Sequence, residues 1–216
     1  MKLVFATNNR GKLQELRALL ESTAIDSGSV ESRAAASFIE AVGLGELGLD
    51  VDVVEDRDTF AGNARKKAEE IAALTGLPAL GDDSGLEVDA LGGAPGVYSA
   101  RFGGLPSGAV DAAAANNARL LRDLALIPAP RTARFRCVLA LARPRAATLF
   151  TDGTLDGEIG CAPRGEGGFG YDPLFIVPAL GRTLAQLTLD EKNRISHRGV
   201  ALRAMVAALR RLPPDT

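Results

Sequence analysis

The chain's 216 residues, 46% hydrophobic and 24% charged, suit one soluble globular domain, in one piece or two lobes, with length enough for a buried core. Its 25 Lys and Arg against 27 Asp and Glu leave a formal net charge of −2, which argues against a broad basic face for nucleic acid but not against a small anionic ligand. Two distant cysteines, Cys137 and Cys161, with a single histidine, exclude a disulfide framework and a structural zinc site and fit the reducing cytoplasm.

Residues 3–6 form a short apolar run, too brief for a signal-peptide core or a membrane span, and read as a buried strand. The strand opens into Thr7-Asn8-Asn9-Arg10-Gly11-Lys12, and a helix follows with Leu13, Leu16 and Leu20 along one face. A strand-to-helix turn aims backbone N–H groups and a positive dipole end at whatever lies above it, which suits a phosphate. Thr7, Asn9 and Lys12 would add a hydroxyl, an amide and an ammonium; an ordinary polar turn is the plainer alternative. The Walker spacing is absent.

Residues 21–50 lack clear periodicity and read as irregular or as a pair of short helices, and residues 51–54 as a short strand. Residues 59–75 predict a helix with Phe60, Ala64, Ala68 and Ile71 on one side, capped by Asp58 or Thr59 and ended by Gly76 and Pro78. Residues 78–81 read as a strand running into Asp82-Asp83-Ser84-Gly85, with another strand over 86–91 and a loop over 92–96. Adjacent carboxylates at a strand end call for a compensating cation or proton, and magnesium accepts such oxygens readily. Asp-Asp-Ser-Gly is equally good turn chemistry.

A helix is expected from about Ser107 to before Pro128, then a hairpin of strands over 133–142 and 150–159. Residues 165–170 match GxGxxG, yet Tyr171-Asp172-Pro173 and an apolar strand follow instead of a helix, so the dinucleotide reading fails. Phe169 and Tyr171 among glycines read as a loop offering an aromatic face to a base, or as a hairpin with buried aromatics. Capping boxes at Thr183/Gln186 and Thr188/Glu191 mark short helices, and the last helix spans 198–212. Lys192, Ser196, His197 and Arg198 gather donors ahead of it. Helices and strands without strict alternation give an α/β fold with a mixed sheet and flanking helices.

The motifs together resemble the inosine/xanthosine triphosphate pyrophosphatase family. They are Thr7-x-Asn9-x-Gly11-Lys12, Thr59-Phe60-x-x-Asn63-Ala64-x-x-Lys67-Ala68 and Asp82-Asp83-Ser84-Gly85-Leu86-x-Val88-Asp89, followed by the run from Gly92 to Arg101, Gly168-Phe169-Gly170-Tyr171-Asp172-Pro173 and Ser196-His197-Arg198-Gly199. The resemblance implies an elongated two-lobed domain over 1–216 with an active-site cleft between the lobes, usually a homodimer, acting on purine nucleoside triphosphates with Mg2+. It places Thr7, Asn8, Asn9, Arg10, Gly11, Lys12 and Lys67 at the triphosphate, Glu55 and Asp83 at the metal, and Asp83 as general base. Ser84 falls at a substrate contact, Asp82 could share either role, and Phe169, Gly170, Tyr171, Asp172, Lys192, His197 and Arg198 fall at the nucleoside. Asn8 stands where many members have glycine, Gly62 replaces the usual acid before Asn63, and 21–50 is longer than expected. The rival readings are a nucleotide sensor without turnover and a pyrophosphatase for damaged pyrimidine nucleotides.

Overall fold

The computed structural model describes residues 2–26, 39–209 and 211, with the backbone alone for Arg10 and residues 22–26. The described strands form a seven-stranded mixed sheet in the order β2-β1-β3-β4-β5-β6-β7. The strands are β1 (Lys2–Phe5), β2 (Glu40–Gly43), β3 (Ala79–Val88), β4 (Thr132–Ala142), β5 (Leu149–Ile159), β6 (Phe175–Val177) and β7 (Arg182–Thr183). β1 runs parallel to β2, with Leu3 opposite Ala41, and to β3, with Phe5 opposite Leu80; β5, β6 and β7 are antiparallel neighbours. The helices are α1 (Arg10–Asp26), α2 (Phe60–Thr75), α3 (Ala112–Asp123), α4 (Leu189–Ile195) and α5 (His197–Leu209). The α/β class and mixed sheet are as expected.

The chain divides into two compact units, one from Met1–Asp83, Cys137–Gly153 and Arg198–Thr216, the other from Ser84–Arg136 and Thr154–His197. The core of the first combines Leu3 and Phe5 of β1, Leu16, Leu19 and Leu20 of α1, Leu139 and Leu141 of β4, and Leu202, Met205 and Val206 of α5. The period of α1 and α5 selects these residues, and each fully buried leucine contributes roughly 1.5–3 kcal/mol. α2 comes against β3 at Gly81, where any Cβ would run into the Ala64 carbonyl. The core of the second unit joins Leu86 and Val88 of β3, Leu120 of α3 and Leu124 at its C-cap, Phe135 of β4, and Leu174, Phe175 and Leu187.

Several elements depart from the sequence reading. Residues 21–50 are not irregular throughout: α1 continues to Asp26, then β2 and a 3-10 turn (Leu44–Leu47) follow, while 27–38 lie outside the described residues. Residues 51–54 belong to no strand. Asp82 to Gly85 do not form a turn; β3 passes straight through them and ends at Val88, so the two expected strands are one and Asp89–Leu91, expected in the second, form a 3-10 turn. Turn-forming side chains are overridden here because the strand is buried on both faces. A 3-10 helix (Gly96–Arg101) follows the 92–96 loop, and α3 starts at Ala112 rather than Ser107. Leu212, expected in the last helix, lies outside the described residues. Thr59 caps α2 by accepting from the Gly62 N–H, and both capping boxes form, the first opening a 3-10 turn (Leu184–Gln186) and the second α4.

Candidate active site

In the first unit the chain leaves β1 and turns into α1. The Thr7 hydroxyl accepts from the Asn9 N–H at 3.1 Å, and the Asn9 side-chain oxygen accepts from the Lys12 N–H at 3.1 Å. Asn9 therefore caps α1, satisfying one of the N–H groups its first turn leaves open. The Asn8 amide donates to the Val51 carbonyl at 2.9 Å, holding the following loop to this turn. Gly11 lies in the first turn of α1, and the Arg10 side chain lies outside the described residues. Lys12 reaches across to Asp82, its ammonium 2.5 Å from Oδ1.

Asp82 and Asp83 are consecutive on β3, so their side chains point to opposite faces of the strand. That alternation explains how two buried carboxylates coexist side by side. Asp82 meets Lys12, the Arg198 Nε at 2.8 Å and the Cys137 thiol at 3.4 Å. Burial alone would lift its carboxyl, but the Arg198 and Lys12 charges outweigh that and hold it well below the usual carboxylate range. Asp83 accepts from the Asn63 amide at 3.1 Å and from the Lys67 ammonium at 3.3 Å. Burial raises its carboxyl; Lys67 and Lys12 restrain the rise and Glu55 adds to it. Environments that drive two neighbouring acids apart in this way divide a structural carboxylate from a reactive one.

Lys67, supplied by α2, binds Glu55 Oε1 at 2.6 Å as well as Asp83 and the Asp82 carbonyl. Burial would depress its ammonium, and Asp83, Glu55 and Asp82 more than restore it. Glu55 and Asp83 thus converge on one cation. Among the described residues no three His, Cys, Asp or Glu side chains group as metal ligands; Glu55, Asp83 and the Asp82 carbonyl are the oxygens gathered around Lys67.

Asn63, which the sequence motif contains but to which it assigns no role, donates to Asp83. Its amide also accepts from the Arg57 N–H at 2.9 Å and donates to the Arg57 carbonyl at 3.2 Å, pinning the Glu55 loop beside Asp83. The motif contains it, but only three dimensions show what it holds. Gly62 has a steric reason: a Cβ there would sit 2.8 Å from the Arg57 Cβ, so a side chain would displace the loop Asn63 anchors.

In the second unit the glycine-rich stretch 165–170 is a loop, and its aromatics divide. Tyr171 is buried, its hydroxyl donating to the Ser99 carbonyl at 2.9 Å, and burial raises its pKa. Phe169 is half-buried, its ring 4.8 Å from the Lys192 ammonium. Asp172 sets this geometry by accepting from both the Phe169 N–H at 2.9 Å and Lys192 at 2.5 Å. The Asn117 amide donates to the Gly170 carbonyl at 3.0 Å. His197 is buried and stacks on Phe135, rings 4.8 Å apart and 10° from parallel. The Ser196 N–H closes α4 on the Lys192 carbonyl at 2.8 Å, and Ser84 is half-buried on β3 directly after Asp83. No described helix is long and apolar enough to cross a membrane.

The Ham1 family model matches residues 3–208. The chain belongs to the Ham1 family. It is 49% identical to the dITP/XTP pyrophosphatase of Desulforamulus reducens, covering 98% of this chain and 97% of that one. It is 48% identical to the dITP/XTP pyrophosphatase of Exiguobacterium sibiricum, covering 97% of each. Among solved structures, a Ham1 protein from Coxiella burnetii superposes with a TM-score of 0.79 at 40% identity, covering 98% of this chain and all of that one. The Ham1 assignment agrees with the order of motifs along the sequence.

Proposed function

We propose that this Ham1-family chain hydrolyses non-standard purine nucleoside triphosphates, dITP, XTP and ITP, to the monophosphate and pyrophosphate, and so clears them from the nucleotide pool. The observation that carries this reading is the convergence of Glu55 and Asp83 on one cation, with the Lys12 charge near enough to act on Asp83. The near full-length likeness to dITP/XTP pyrophosphatases supports it. A cytoplasmic homodimer is part of the same proposal.

Glu55 and Asp83 would hold Mg2+, a hard cation suited to carboxylate oxygens. When bound, it neutralises phosphate charge and acidifies water. Lys12 and Lys67 offset the remaining negative charge, and Thr7 with the first turn of α1 offers hydroxyl and N–H donors to phosphate oxygens. Asp83, oriented by the Asn63 amide and the Lys67 ammonium, accepts the proton of the water attacking the α-phosphorus. The bond broken is the α–β anhydride, and pyrophosphate leaves.

Phe169 gives the base a ring to stack on, held in place by Asp172 and Lys192. Lys192, His197, Ser196 and N–H groups of the loop offer donors to a 6-oxo group, whereas adenine presents a donor of its own. Donor facing donor in a buried site disfavours adenine by a factor that can reach roughly 10⁴. Arg198, held by Asp82 and Glu15, is the further donor this reading gives to the 6-oxo group.

The test is turnover across a panel of nucleoside triphosphates with and without magnesium. ITP, dITP and XTP should exceed ATP by at least about a hundredfold in kcat/KM, and chelation should stop all turnover. Equal rates on ATP, faster cleavage of modified pyrimidine nucleotides, or binding without turnover would contradict the proposal.

A further inference from the structure

Glu15 lies in α1 with no motif to mark it, yet it is 4% exposed, an unusual place for a glutamate. It stands three residues after Lys12, on the same face of the helix. Its Oε2 accepts from Nη1 of Arg198, and Nε of Arg198 donates to Asp82 Oδ2 at 2.8 Å. Asp82 Oδ1 takes the Lys12 ammonium at 2.5 Å. The four groups form a chain of alternating charge, Glu15–Arg198–Asp82–Lys12, and because both ends sit on α1 the helix completes the ring between them. Their side chains are 5%, 2%, 1% and 14% exposed, so water does little to screen them.

We propose that Glu15 is a positioning residue for the nucleotide's phosphates, acting through Arg198 and Asp82 to hold Lys12. The inference rests on Lys12 being a phosphate contact. With Glu15 charged, Arg198 divides its donors between two carboxylates, and one oxygen of Asp82 is left to anchor Lys12. An ammonium carries three donors; one on Asp82 fixes its place and the others remain for phosphate. With Glu15 neutral, the ring carries one excess positive charge in a buried setting. Asp82 then serves two cations alone, its carboxylate is drawn toward Arg198, and Lys12 with the first turn of α1 loses its fixed position.

The experiment compares Glu15→Gln, Lys12→Ala, the double variant and Glu15→Asp, measuring KM and kcat for ITP at saturating magnesium with Tm alongside. Glu15→Gln should raise KM roughly tenfold with kcat within about twofold, because the chemistry at Asp83 is untouched. Lys12→Ala should raise KM as well, and adding Glu15→Gln to it should raise KM no further. Glu15→Asp keeps the charge and should restore much of the parent KM; if Glu15→Gln does not fold, this variant alone and on Lys12→Ala gives the same comparison on a smaller scale. A lowered Tm with parental KM, or effects that multiply in the double variant, would overturn the positioning role. An unshifted KM in Lys12→Ala itself would overturn the phosphate role of Lys12 and the inference with it, an outcome the single variant identifies separately.

Discussion

Asp83→Asn is expected to lower kcat by two or more orders of magnitude, the scale of losing general-base help, while KM for the nucleotide changes far less. Asp83 accepts from Asn63 and Lys67, and Lys67 keeps Glu55 and the Asp82 carbonyl when the charge at residue 83 is removed. The loop anchored by Asn63 keeps its two bonds to Arg57, so the surroundings stay assembled while the proton acceptor is lost. Near-parental kcat in a folded Asp83→Asn enzyme would remove Asp83 from the chemistry.

Asp82→Asn should lower stability, besides loosening Lys12 and so raising KM. Asp82 is the shared partner of Lys12 and Arg198, and neutralising it leaves Arg198 buried with Glu15 as its remaining carboxylate in the ring. Breaking such a buried pair costs about 3–5 kcal/mol, or a fall in Tm of roughly 6–20 °C for a chain of this size. The pH dependence follows from the direction of the Asp82 shift. Its carboxyl is held below its ordinary value, so its contribution is fully present above the unfolded pKa of ~3.9 and is lost as pH falls through the folded value. The stability gap between parent and Asp82→Asn should therefore be widest near neutrality and close in acid. Parental Tm at neutral pH, or a gap that grows on acidification, would contradict the role.

The sequence is most legible where one local rule decides the outcome. The cap at Thr59, the stop at Gly76 and the apolar side of α2 follow from propensity and periodicity, and the structure has them. The Asp82-Asp83 pair is visible as chemistry but misplaced as structure, because turn propensity is local and β3 is imposed by its neighbours in the sheet. Once the strand is seen, its alternation tells which acid faces Lys12 and which faces Asn63. Glu15 and Asn63 are illegible as site residues. What sets them apart is burial beside Arg198 and Asp83, partners 183 and 20 residues away in sequence. Phe169 and Tyr171 look alike between glycines, and only packing separates the half-buried ring from the buried anchor.

The central claim is cleavage between the α and β phosphates of a 6-oxopurine nucleotide, and product analysis tests it most directly. Incubation with dITP and magnesium, followed by separation of nucleotides and phosphates, should give dIMP and pyrophosphate in equal amounts from the first turnovers, with no dIDP. Accumulation of dIDP with orthophosphate would contradict the account, since the attack would then fall on the γ-phosphorus.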